Sequence, residues 1–162
     1  IRYDVEGLTD EQFDSAVPIV FSTPATDAVY LENLPDDVKG ALFGVEDLEL
    51  MEGVELARQL QREGARNVLV TMGGSGAFLL TEDQRLYSAT ACIGQVRNTV
   101  GAGDSLIAGF LTGLKRTNDF CEALRLGVAA GSATAFSDWL GTKEQTMELL
   151  DQVQVEQVPL EE

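Results

Sequence analysis

The run Asn67-Val-Leu-Val-Thr-Met72, closed by Gly73-Gly74, constrains this chain more than any other segment. Its apolar and β-branched residues suit a strand buried on both faces, and such strands belong to sheets covered by helices on either side. The neighbouring sequence offers that cover. Leu50, Met51, Val54, Ala57 and Leu60 recur at helical spacing ahead of the strand, with Gly64 as a stop signal. Two apolar helices are expected after it, one from Ser105 to Leu114 and one from Asn118 or Asp119, either of which would cap it, to about Phe136.

Shorter elements fill the intervals. Ala77–Leu80 and Arg85–Tyr87 flank the polar turn Thr81–Gln84 and predict a β-hairpin, and a short extended stretch is expected from Ile93 to Thr99. A last helix is expected from Lys143 to Leu150, then an edge strand at Val153-Gln-Val155. Near the start, Leu8–Phe13 reads as a capped helix, Val17–Phe21 as a strand and Asp27–Leu34 as a helical turn. From Pro35 to Gly44 the elements follow so closely that a strand and its connection are missing from the expected order.

Composition narrows the function classes. The chain has 162 residues, 44% of them hydrophobic, enough for one core. Its 27 acidic and 11 basic residues give a net charge of -16, which repels a nucleic-acid backbone. An anion site here must therefore depend on backbone N–H groups, a few local cations and a metal ion. The absence of histidine removes imidazole bases, leaving proton transfer to carboxylate, Lys, Tyr or Cys. Cys92 and Cys121 have no metal-ligand spacing and form no disulfide framework, which fits a reducing cytoplasm. No apolar run approaches the ~20 residues that span a bilayer, so no membrane partner is expected.

Two glycine clusters carry the chemistry. Val100-Gly-Ala-Gly-Asp104 opens an expected helix, where unpaired N–H groups face an anion and glycines let the backbone approach it. Asp104 in that first turn would repel a phosphate unless the reaction used its charge, as a general base does. The same residues also read as an ordinary strand-to-helix turn. Thr71-Met-Gly-Gly-Ser-Gly76 follows the buried strand, a common ligand position that is equally a hairpin loop. Gly127, Ala130, Gly131 and Ala133 make room either for a flat ring or for a closely packed helix. Arg97 is the cation nearest the second cluster in sequence, followed by Lys115 and Arg116.

In order and spacing, Thr71 to Ala77, Asn98-Thr-Val-Gly-Ala-Gly-Asp-Ser105 and Gly127 to Thr134 resemble the ribokinase-like sugar kinases of the phosphofructokinase B type. Within that family the likeness is to the branch acting on fructose 1-phosphate and tagatose 6-phosphate, and it runs from Leu42 to about Val158. It implies an α/β/α sandwich with a central, mainly parallel sheet, ATP with Mg2+ as phosphoryl donor, and a small sugar phosphate as acceptor. Carried over residue by residue, Thr71, Met72, Gly73, Gly74, Ser75 and Gly76 fall on the nucleotide-binding loop, with Thr71 where a serine is frequent. Gly101, Ala102 and Gly103 fall on the anion hole, with Gly103 and Asp104 also facing nucleotide. Asp104 falls on both the catalytic base and the acceptor contact.

The chain also departs from that pattern. The family's amino-terminal half, with its sugar motif and lid, is not represented, so residues 1–41 are expected to be an incomplete or discontinuous remnant ahead of a catalytic part at 42–162. The compression from Pro35 to Ala41 favours omitted segments over a genuine fragment. Asn33-Leu-Pro-Asp36 is a poor match to the Asn-x-x-Glu motif linked to magnesium, so no metal ligand is assigned. Related kinases form homodimers through the lid, which lies outside this chain.

Overall fold

The computed structural model describes residues 22–24, 40–44, 50–62 and 64–160, for the first two segments the backbone alone. The expected elements at Leu8–Phe13, Val17–Phe21 and Asp27–Leu34 lie outside the described residues, as does Asn33–Asp36.

Among the described residues, six strands form one sheet in sequence order. Strands β1 (Ser22–Pro24), β2 (Gly40–Gly44) and β3 (Asn67–Thr71) run parallel, with Leu42 opposite Leu69 and Gly44 opposite Thr71. Helix α1 (Leu50–Arg62) lies between β2 and β3 in the chain, as a parallel pair requires a crossover. The expected hairpin forms as β4 (Ala77–Leu80) and β5 (Leu86–Ala89), and both its strands pair antiparallel. Strand β6 (Val155–Val158) closes the series, antiparallel to β5.

Side-chain alternation along these strands builds two cores. Val68, Val70, Phe78, Leu80 and Leu86 pack with Val54, Ala57 and Leu60 of α1. Leu69, Ala77, Leu79, Tyr87 and Ala89 point to the other face and pack with α2 (Ala102–Thr117) and α3 (Phe120–Ala135). The result is the expected α/β/α sandwich. β3 is covered on both faces, as its unbroken apolar run required.

Helix α2 ends at Asn118, whose N–H donates to Leu114 O at 2.8 Å and whose left-handed backbone (φ 53°) then turns the chain out of the helix. The next residue starts α3: the Asp119 side chain accepts from the Glu122 N–H at 3.0 Å, a cap worth about 1 kcal/mol. Helix α4 (Lys143–Leu149) begins with a reciprocal capping box between Thr142 and Gln145.

The small residues of α2 and α3 bring the two helices together. A Cβ at Gly109 would lie 2.8 Å from the Ala130 Cβ, one at Gly113 2.7 Å from the Ala123 Cα, and one at Gly127 2.9 Å from the Leu106 carbonyl oxygen. The space beside Gly127 and Gly131 is therefore filled by α2, and the closely packed helix is the reading that the structure selects.

Two expected strands differ. Ile93–Thr99 forms no ladder, because the N–H groups of Arg97 and Asn98 both donate to Ala135 O, at 2.8 and 3.2 Å, at the end of α3. The strand expected at Val153–Val155 begins at Val155 instead. Val153, 3% exposed, is taken by the core beneath the sheet, and Leu150–Gln152 forms a 3-10 turn ahead of it.

Candidate active site

Both glycine clusters stand at one end of the sheet. The first leaves β3 at Thr71, and Met72 turns its side chain into the core below α1 while its N–H donates to Gly76 O at 2.8 Å. Gly73–Ser75 forms an exposed 3-10 turn, and a Cβ on Gly73 or Gly74 would meet open space. Gly76 is different. Its φ of +100° and a Cβ position 2.0 Å from the Ala89 oxygen exclude any side chain. Of the six residues assigned to the nucleotide loop, Gly73, Gly74 and Ser75 present themselves to solvent.

From Ala89 the chain passes to the end of α3, where the Cys92 N–H meets Ser132 Oγ at 3.4 Å, and Arg97 and Asn98 bind Ala135 O. This path brings residues 98–105 to the same end as the first loop. The Asn98 side chain accepts from the Val100 N–H at 3.0 Å, and Gly101, at φ +80°, caps α2 without a side-chain bond. The Ala102 N–H is bonded to Thr99 O at 3.1 Å and that of Ser105 to Gly101 O at 2.9 Å. The N–H groups of Gly101, Gly103 and Asp104 make no hydrogen bond to a described residue. Three donors thus gather at the positive end of a 16-residue helix, beside the exposed carboxylate of Asp104.

The cations are arranged otherwise. Arg97 is held by Asp138, its Nη1 lying 3.0 and 3.1 Å from the two carboxylate oxygens, on the surface. Lys115 and Arg116 sit in the last turn of α2, roughly 20 Å from its start. Of the three, Arg97 is engaged by Asp138 beside the turn, and Lys115 and Arg116 stand at the far end of α2.

Sequence reasoning missed the strap that follows α3. Residues 137–141 fold back so that the Leu140 side chain lies against Gly101, 3.1 Å from where its Cβ would be. The buried hydroxyl of Thr134 donates to Ser105 Oγ at 2.8 Å and accepts from the Gly141 N–H at 3.0 Å. Ile93, Val96, Val100, Trp139 and Leu140 are all more than half exposed along the turn and the strap, Trp139 at 82%. The only hint in sequence is that Thr134 ends the small-residue stretch.

Burial pushes the thiols of Cys92 and Cys121 above their ordinary range, which favours the unreactive protonated form. Among the described residues no three His, Cys, Asp or Glu side chains converge to hold a metal, and no helix is long and apolar enough to cross a membrane.

Residues 39–146 match the pfkB family of carbohydrate kinases, well over half of the chain. The chain belongs to that family. It is 45% identical over 116 residues to the 1-phosphofructokinase of Bacillus subtilis, covering 72% of this chain and 38% of the relative. The D-tagatose-1-phosphate kinase of Bacillus licheniformis is 38% identical over 104 residues, 64% of this chain and 34% of that protein. Among solved structures, a putative phosphofructokinase from Staphylococcus aureus superposes with a TM-score of 0.69 at 26% identity, over 78% of this chain and 45% of that one. The ribokinase of Arabidopsis thaliana, solved with ribose and ATP, shares the fold with a TM-score of 0.68 at 20% identity, over 83% and 47%. The fold is ribokinase-like, and the chain spans less than half the length of these relatives.

Proposed function

We propose that the protein acts as an ATP-dependent sugar-phosphate kinase, converting fructose 1-phosphate and ATP to fructose 1,6-bisphosphate and ADP. One observation carries this reading: the exposed carboxylate of Asp104 stands in the first turn of α2 beside the unpaired N–H groups of Gly101, Gly103 and Asp104 itself. ATP supplies the phosphoryl group. Asp104 takes the proton of the acceptor hydroxyl as its oxygen bonds to phosphorus and the bond to the ADP oxygen breaks. The N–H groups of the turn hold the charge that develops on the phosphoryl oxygens, with Gly103 leaving room where a side chain would stand. Gly73, Gly74 and Ser75 offer exposed backbone for the rest of the nucleotide.

Magnesium does not fit a cage built by these residues, since the described part offers no acidic cluster. Mg2+ would accompany ATP through its phosphates. The choice of fructose 1-phosphate follows the 45% identity to the Bacillus subtilis protein, and the alternative acceptor of the same reading is tagatose 1-phosphate, after the Bacillus licheniformis relative, in place of the tagatose 6-phosphate expected from sequence. Two free cysteines agree with a reducing, cytoplasmic setting.

The test is phosphoryl transfer by the purified chain to fructose 1-phosphate, tagatose 1-phosphate, tagatose 6-phosphate and fructose 6-phosphate, alongside Asp104→Asn. Loss of the base is expected to lower turnover by about 10²–10⁴-fold. Unchanged turnover in Asp104→Asn defeats the assignment of the base. A second reading is a nucleotide-binding part without turnover of its own. ATP binding by calorimetry with no transfer to any acceptor, at the verified mass of 162 residues, selects that reading.

A further inference from the structure

Below the phosphate turn, one buried hydroxyl joins three segments. Thr134 is 1% exposed in the last turn of α3. It donates to Ser105 Oγ at 2.8 Å, which ties it to the residue after Asp104, and it accepts from the Gly141 N–H at 3.0 Å, which ties it to the strap. Each segment also bears on the turn directly. The Ser105 N–H closes the first helical bond to Gly101 O, and the strap rests Leu140 against Gly101. The strap is packed closely at its end, where a Cβ on Gly141 would lie 2.7 Å from the Ala133 backbone.

This arrangement exceeds what holding two helices together requires. Helices α2 and α3 already interlock along their length, through Gly109 and Gly113 and, near the start of α2, through Gly127 against Leu106 and Gly131 against Ala102. The Thr134 hydroxyl adds a hydrogen bond between the two helices at that end and, through Gly141, joins the strap to it. What it fixes is the first turn of α2 from beneath and the cover of Gly101 from the side, so that three N–H groups and one carboxylate keep a common aim. Displacement of reacting groups by ~1 Å costs on the order of 10²-fold in rate, so such a fixing point acts on turnover more than on binding. A valine at this position would retain the volume, lose both bonds and leave the Gly141 N–H without its partner.

We propose that Thr134 is a positioning residue for Asp104, holding the phosphate turn in its productive geometry through Ser105 and Gly141. The proposal rests on the reading of Asp104 as general base.

Its test compares the full chain with Thr134→Val and Thr134→Ser by two measurements. In amide hydrogen exchange, the bonded N–H groups of Ala102, Ser105 and Gly141 are expected to exchange roughly tenfold faster in the valine variant, while those of α1 keep the wild-type rate. In phosphoryl transfer to fructose 1-phosphate, kcat is expected to fall by about 30-fold with KM changed by less than about threefold, and serine is expected to restore both measurements to within about threefold. Wild-type exchange at all three amides in Thr134→Val overturns the proposal. So does a rise shared equally by α1, or a serine variant as impaired as the valine one. If the wild-type chain transfers no phosphate, the kinase reading fails, and the exchange pattern alone then decides whether Thr134 fixes the turn. Should Thr134→Val fail to fold, Ser105→Ala removes one of the two bonds and is read by the same exchange, with the same outcomes.

Discussion

The glycines of the helix pair and those of the two turns look alike in sequence, yet they do opposite things. At Gly109, Gly113 and Gly127 the missing side chain is replaced by another helix, with atoms 2.7 to 2.9 Å from where a Cβ would stand. At Gly73, Gly74 and Gly103 nothing lies within 4 Å. The first group uses the absent side chain for packing, whereas the second leaves open space next to exposed backbone. Gly76 belongs to neither group. It sits in a turn, but its neighbour is the backbone of β5, and its φ is positive. A glycine-rich loop is thus a mixture of residues that make the fold and residues that leave room for a ligand.

Three substitutions probe this division, in decreasing order of effect on stability. Gly76→Ala sets a Cβ 2.0 Å from the Ala89 oxygen with no flexible side chain to yield, so a loss of about 4 kcal/mol or more is expected. Thermal unfolding or failure to obtain folded protein checks it, and a melting temperature near wild type would move Gly76 into the open group. Gly113→Ala presses on the Ala123 Cα at 2.7 Å, and chemical denaturation is expected to read a loss of about 1–3 kcal/mol. Stability equal to wild type would mean that α2 and α3 separate without penalty. Gly103→Ala meets no atom and lies in a helical turn, where alanine stabilises by roughly 0.5–1 kcal/mol. Its effect is expected on turnover instead, with phosphoryl transfer falling while the melting temperature holds or rises. Full activity in Gly103→Ala would show that the open space at this turn is not used by the phosphoryl group.

Legibility in the sequence followed how local the deciding physics was. The unbroken apolar run placed β3 between two helical layers, because burial on both faces leaves a compositional trace. Sequence offers Asn118 and Asp119 as alternative caps for the start of α3; Asp119 caps it with its side chain, whereas Asn118 ends α2 through a left-handed backbone. The position of Asp104 in a first helical turn was legible for the same reason. Residues 93–99 were not, since their N–H groups are claimed by Ala135, a partner that only tertiary structure supplies. Val153 carries the alternation of a strand but is drawn into the core, and no local signal separates those outcomes. The junction at Thr134 was hidden most deeply. A threonine at the end of a run of alanines and glycines reads as one more small residue until Ser105 and Gly141 arrive beside it.

The pairing of β5 with β6 has a consequence for how the polypeptide is made. Those two strands are neighbours in the sheet, yet all of α2, α3 and α4 is synthesised between them. Until Val155–Val158 leaves the ribosome, the outer rim of β5 carries backbone donors and acceptors that no other described strand satisfies, a ready template for a second nascent chain. A polypeptide halted after α4 would hold the turn at Gly101–Gly103 and the Asp104 carboxylate, and it would also hold an open invitation to aggregate.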